Sequence, residues 1–242
     1  MSLLDEAIEA HGGRKRWGQV KEVRAHVRSG GLLLRAKGRG RCFRDYGLSI
    51  DTGSPNAIFE PYPREGSTGV FAGDVVRVLD AEGDVIEERD DPRAAFFGTS
   101  GLRRNVRWDS LDALYFAGYA MWNYMTIPFL FDEEGFEVEE GDSLETDSGE
   151  WRRLDVRFPE GFPTHCREQS FYFDAQGLLR RHDYVPEVVA SFADAAHLVS
   201  GHREVDGLVF GTNRRVVPKA PGGRPLPGPN VVWIELDSIA VA

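Results

Sequence analysis

HCREQSFYFDAQGLLRRHDYV, residues 165–185, decides the architecture. Two runs of alternating apolar and polar residues flank Asp174-Ala175-Gln176-Gly177, and a period of two marks half-buried strands. With Gly177 in the left-handed position of a three-residue loop, the segment reads as an antiparallel hairpin. In that register Asp174 opposes Leu178, Tyr172 opposes Arg180, Ser170 opposes His182 and Glu168 opposes Tyr184. One face then carries Glu168, Ser170, Tyr172, Arg180, His182 and Tyr184. The other gathers Phe171, Phe173, Leu179 and Val185 with Arg181 and Asp183.

The same pattern recurs on both sides. VKEVRAHVRSG (20–30), RGRCFRDYGLSID (39–51), GVFAGDVVRVLDAEGDVIEERDD (69–91), WRRLDVRFP (151–159), AAHLVSGHREVDGLVFGTNRRVVP (195–218) and NVVWIELDSIAV (230–241) all alternate. LDAEGDV and REVDGLV repeat the tight-turn signal, so successive strands are expected to pair antiparallel. About ten strands and one or two helices over residues 1–242 predict a single domain of mainly β (α+β) class. It would be one large curled antiparallel sheet, or half-open β-barrel, with an N-terminal helix and a central aromatic-rich helix against the concave face. A sheet of that size must curl to protect its edges.

Helical signals are confined to two places. Leu3, Leu4, Ile8 and Ala10 share one helix face, and Gly12-Gly13 stops it. The second helix opens at Asp109, which can cap it with Asp112 in the first turn, and Pro128 ends it after about five turns. Residues 113–131 (ALYFAGYAMWNYMTIPFLF) hold no formal charge across 19 positions, the length of a membrane span. Their tyrosines, Asn123, Trp122, Thr126 and Pro128 suit a protein interior better than lipid, so a buried helix is expected.

With 39 acidic against 29 basic side chains, the net charge of −10 argues against nucleic acid as the main partner. Cys42 and Cys166 are far apart in sequence and form no C-x-x-C, as in a reducing compartment. With no basic segment followed by an apolar run at the start, a cytoplasmic location is expected. Residues 132–150 hold ten acidic residues in nineteen and read as a solvated strand and loop. Residues 218–230 are rich in Pro and Gly and read as a long hairpin connection. Residues 14–44 carry eleven Lys or Arg against Glu22 alone, most simply one solvated face. The Walker loop, G-x-G-x-x-G, H-E-x-x-H, G-x-S-x-G, EF-hand and zinc-spaced Cys/His patterns do not occur, which counts against P-loop ATPases, Rossmann dehydrogenases and serine α/β-hydrolases.

Two sets of residues carry candidate chemistry. Glu168, His182 and Tyr184 share the polar face of the hairpin, where Glu168 and His182 would be acid–base partners and Tyr184 a hydrogen-bond donor. The same residues on a solvated face would be ordinary surface. On the central helix Tyr115, Tyr119, Trp122 and Thr126 form one stripe, a plain core or the wall of a small-molecule pocket. His165 and His197 would add polar groups to that pocket. A metal site is not expected, because His197 and His202, five apart on a straight strand, point to opposite faces. No cofactor is expected either.

The segment A-x-x-A-H-G-G-x-x-x-W-x-x-V from Ala7 to Val20, followed by many antiparallel strands and a mid-chain helix, resembles uncharacterised bacterial proteins related to the LolA/LolB-like lipoprotein carriers. That resemblance implies a half-open barrel whose helices lid a hydrophobic cavity for acyl chains or similar ligands. The first expectation is therefore a soluble binder of a hydrophobic or amphipathic small molecule, lined by Tyr115, Tyr119, Trp122, His165 and His197. The alternatives are an enzyme doing acid–base chemistry on a lipid-like or polyketide-like substrate in the same cavity, and an interaction domain using its acidic loop or basic strands.

Overall fold

Antiparallel hairpins, once formed, add strands one beside the next, and the chain does this in two runs. The computed structural model describes residues 1–242, apart from the side chain of Ser100. The first run comprises β1 (Glu22–Gly30), β2 (Tyr46–Asp51), β3 (Asn56–Glu60), β4 (Thr68–Ala72), β5 (Val75–Leu79) and β6 (Val85–Asp90). The second comprises β7 (Glu137–Thr146), β8 (Gly149–Arg157), β9 (Glu168–Phe173), β10 (Leu179–Tyr184), β11 (Ala195–Val205), β12 (Leu208–Pro218) and β13 (Val232–Val241). β1 pairs with β13, which joins the runs into one sheet of order β6-β5-β4-β3-β2-β1-β13-β12-β11-β10-β9-β8-β7 among the described residues. Every neighbouring pair is antiparallel, and the sheet is not closed. Its two edges, β6 and β7, are mostly exposed and charged, which discourages pairing with another chain.

The expected curled sheet is therefore present, with thirteen strands where about ten were read. β3 had no separate signal, and β7 is the acid-rich stretch expected to be a solvated strand. The stretch 39–45, read as the start of a strand, forms turns leading into β2.

The helices are α1 (Leu3–Ala10), α2 (Gly13–Trp17), α3 (Leu32–Ala36), α4 (Gly98–Gly101) and α5 (Ser110–Thr126). Ser2 and Asp5 cap α1 reciprocally, and Gly12 ends it at φ 119°. A side chain at Gly12 would stand 2.3 Å from the Gly207 carbonyl, so only glycine lets α1 settle against the β11–β12 turn.

α5 is the centre of the molecule. It lies in the long connection from one sheet edge, β6, to the other, β7, and so crosses the concave face. Asp109 and Asp112 form the capping box read from the sequence. Three arginines converge there, and Asp112, fully buried, accepts from Arg89 at 2.7 Å and Arg104 at 2.5 Å. The helix is buried on every side, with only Ala117 partly exposed, as expected of a buried helix. Its close contacts are with β3 to β6, where Gly118 lets it approach Phe71 of β4. Among the described residues no helix is long and apolar enough to cross a membrane.

Candidate functional site: a buried histidine–tyrosine cluster

The register of β9 and β10 decides what faces α5. Leu179 pairs with Phe173 as the turn requires, but a bulge between Leu179 and Arg181 moves the rest by one residue. Arg181 then opposes Tyr172, His182 opposes Phe171, and Asp183 opposes Ser170. His182 consequently turns inward with Phe171, their rings stacked at 4.2 Å. Next to it on β11, His197 pairs across from His182 and is fully buried.

His165 enters the same space from the β8–β9 connection. Its Nδ1 lies 3.1 Å from the Tyr119 hydroxyl and its Nε2 2.7 Å from that of Tyr124, both from α5. The Tyr124 hydroxyl also reaches that of Tyr184 on β10 at 3.1 Å, and the His165 ring stacks on Tyr184 at 3.8 Å. A neutral imidazole has one donor and one acceptor nitrogen. His165 therefore donates to one of Tyr119 and Tyr124 and accepts from the other, and the Tyr124–Tyr184 contact extends the chain to β10.

His182 is held by Gln169. The Gln169 amide nitrogen donates to the Thr164 hydroxyl at 2.6 Å and to the Cys166 carbonyl at 2.7 Å. A carbonyl only accepts, so the other amide atom is the oxygen, and it accepts from His182 Nε2–H at 2.6 Å. Burial holds His165, His182 and His197 well below the usual imidazole range, and in His182 the neighbouring His197, His165 and Arg214 add to this. All three are neutral at pH 7. Burial likewise keeps Tyr119, Tyr124 and Tyr184 protonated. Arg214 of β12 donates from Nη2 to the Tyr124 carbonyl at 2.8 Å, and its guanidinium lies 5.2 Å from the Tyr124 ring.

An apolar space adjoins the cluster, between α5 and the stretch of sheet made by β1, β13 and β12. Leu34, Phe43, Ala120, Met121, Tyr124, Tyr184, Val216, Val232 and Ile234 line it, and its volume is about 40 Å³.

By sequence, no family model and no curated protein matches the chain. Solved structures do. A LolA superfamily protein from Nitrosomonas europaea aligns over 99% of this chain and 92% of its own, at 8% identity and a TM-score of 0.54. An outer membrane lipoprotein-sorting protein domain from Vibrio parahaemolyticus covers 99% and 90%, at 7% identity and 0.54. A DUF1329 family protein from Desulfovibrio piger covers 99% and 91%, at 13% identity and 0.53. The chain has a LolA-like fold.

In this LolA-like structure, Tyr119, His165, His182, Tyr184 and His197 come together as one cluster. Glu168 does not. Alternation along β9 keeps it on the outer face, where it is exposed and bonded to Arg157 at 3.1 Å, while the bulge turns His182 inward, so the expected Glu168–His182 pair does not form. Tyr115 lies further along α5 against Phe71 and Phe96. Trp122 donates to the Asp51 carbonyl at 2.7 Å and packs by Phe162, away from the apolar space. The reading of residues missed Tyr124, Gln169 and Arg214. Arg214 was detectable, because Leu208, Phe210, Thr212, Arg214 and Val216 alternate along β12 and put a cation on an apolar face. Among the described residues no three His, Cys, Asp or Glu are grouped to hold a metal ion.

Proposed function

We propose that the protein binds a hydrophobic or amphipathic small molecule between α5 and the face formed by β1, β13 and β12. The observation that carries this reading is the asymmetric seat of α5, which packs closely on β3 to β6 and leaves an apolar space on its other side. Tyr124 and Tyr184 would give that space its polar wall, backed by Tyr119, His165, His182 and His197. We also place the protein in the cytoplasm, in keeping with the two unpaired thiols of Cys42 and Cys166.

Small-molecule sites measure about 300–1,000 Å³, so the space of about 40 Å³ is a closed state that must widen on binding. Met121 can re-pack readily. Burying a chain of about 14 carbons returns on the order of 10 kcal/mol, which offsets a local opening of several kcal/mol.

The test combines native mass spectrometry of freshly purified protein, with denaturing extraction, and titration with a dansylated fatty acid. Ala120→Leu adds bulk into the apolar space and should weaken binding about tenfold or more. Saturable binding lost in this variant supports the reading. Absence of binding, or binding that Ala120→Leu leaves unchanged in a folded variant, overturns it.

A further inference from the structure

Resting on that reading, we propose that Arg214 is the head-group subsite, binding the carboxylate or phosphate of an anionic amphiphile. Arg214 is 5% exposed. The other two arginines buried to a similar degree have carboxylates: Arg104 meets Asp112 at 2.5 Å, and Arg181 meets Asp183 through two bonds of 2.6 Å. Arg214 has no carboxylate within ion-pair distance among the described residues, and its Nε has no hydrogen-bond partner. What faces it is the C-terminal end of α5 through the Tyr124 carbonyl, which offers about half a negative charge. A full cation in the interior is thus left partly uncompensated, a state that proteins ordinarily avoid by pairing.

The surroundings fit an anion. Arg214 opens on a small space of about 10 Å³ that His11 and His202 also line, and His202 Nε2 has no hydrogen-bond partner. No acidic side chain lines that space. Tyr124 borders this polar space and also the larger apolar one. A tail beside Ala120 and Met121 would therefore place a head group at Arg214, past the Tyr124 ring.

The experiment displaces an uncharged reporter, N-phenyl-1-naphthylamine, with four ligands of one chain length below their micelle concentrations: tetradecanoate, tetradecyl phosphate, tetradecanol and tetradecyltrimethylammonium. The wild-type protein should prefer an anion over the alcohol by about tenfold or more, as charge-assisted hydrogen bonds do, with the cation weakest. Whether tetradecanoate or tetradecyl phosphate leads identifies the head group as carboxylate or phosphate. Arg214→Met should erase the preference while the alcohol still binds. Equal binding of acid, phosphate and alcohol overturns the subsite and leaves the binding function standing, as does a preference that survives Arg214→Met. If none of the four displaces the reporter, the binding reading fails and the subsite with it. Should the variant not fold, the head-group series on the wild type decides alone.

Discussion

Acidification to pH 5.5 should unfold this protein far more readily than its net charge suggests. Of six histidines, five are held below the ordinary imidazole value by burial: His165, His182 and His197 well below it, His11 and His202 down to about 4. An unfolded chain returns them to about 6.5, so as pH falls the unfolded state binds protons first. Their contribution to stability is complete above about pH 7 and drains as pH drops through 6.5 toward the folded values. Each such group withdraws about 0.7 kcal/mol between pH 7 and 6, and five together about 3 kcal/mol. By pH 5.5 the loss reaches about 6 kcal/mol, a large share of the 5–15 kcal/mol of an ordinary domain. The depressed carboxylates, Asp109 and Asp132 among them, lose their stabilising effect only below about pH 4.5 and do not confuse this window. Urea unfolding followed by tryptophan fluorescence at pH 7.5, 6.5, 6.0 and 5.5 gives stability against pH. The slope near pH 5.5 should correspond to uptake of about four protons on unfolding. A slope of one proton or less would show that these histidines are hydrated or free to ionise in the folded protein, and the sealed cluster would have to be abandoned.

The adjacent pair Glu168 and Gln169 gives a sharp contrast. Gln169→Leu orphans His182, Thr164 and the Cys166 carbonyl and should cost about 3 kcal/mol, whereas Glu168→Ala should cost under about 0.5 kcal/mol, both read by urea midpoint. Similar effects from the two would contradict the bulged register. His197→Phe keeps a ring beside Tyr124 and removes two buried nitrogens that have no partner, so stability at pH 7.5 should rise by about 2 kcal/mol or more and the acid slope should drop by one proton. A loss of 3 kcal/mol or so would show those nitrogens to be satisfied. Gly118→Ala places a methyl 2.4 Å from Cβ and Cγ of Phe71, too near the backbone to swing aside, and should lower stability by about 2 kcal/mol or more in the same assay. A neutral outcome would mean that α5 sits less firmly on β4 than described.

The parts of the fold that were legible are those written in local chemistry. Gly177, Gly207 and Gly83 adopt the left-handed conformation their hairpins require, and Asp109 with Asp112 announces α5. α3 escaped notice because five residues between Gly31 and Lys37 are too few to display a helical period. The bulge at Arg180 escaped for a different reason. Arg180 is bonded back to Asp174 of its own turn, a contact that depends on the folded hairpin and leaves no signature in sequence spacing. Because side chains alternate with a period of two, that one residue exchanged Ser170 for Phe171 opposite His182 and separated Glu168 from the site. The cluster thus holds five of the eight residues expected, Tyr119, His165, His182, Tyr184 and His197, assembled around α5 rather than around a carboxylate.

The unmade hydrogen bonds are not scattered. Seven buried side-chain atoms lack a partner among the described residues, and five of them belong to Asn123, His197, His202 and Arg214, at or facing the C-terminal half of α5. Each such atom costs about 1–3 kcal/mol, so the group lowers stability by an amount comparable with a whole domain's margin. At its N-terminal end, by contrast, α5 is fastened by three arginines on Asp109 and Asp112 and is seated on Phe71 through Gly118. A helix pinned at one end and poorly satisfied at the other has an evident direction of least resistance. Release of the second end would expose the apolar space and Arg214 together, and a ligand that met both would satisfy groups the closed protein leaves unpaired. The closed state is then costly for the same reason that the ligand-bound state would be favoured, and the two tests above examine the two sides of one balance.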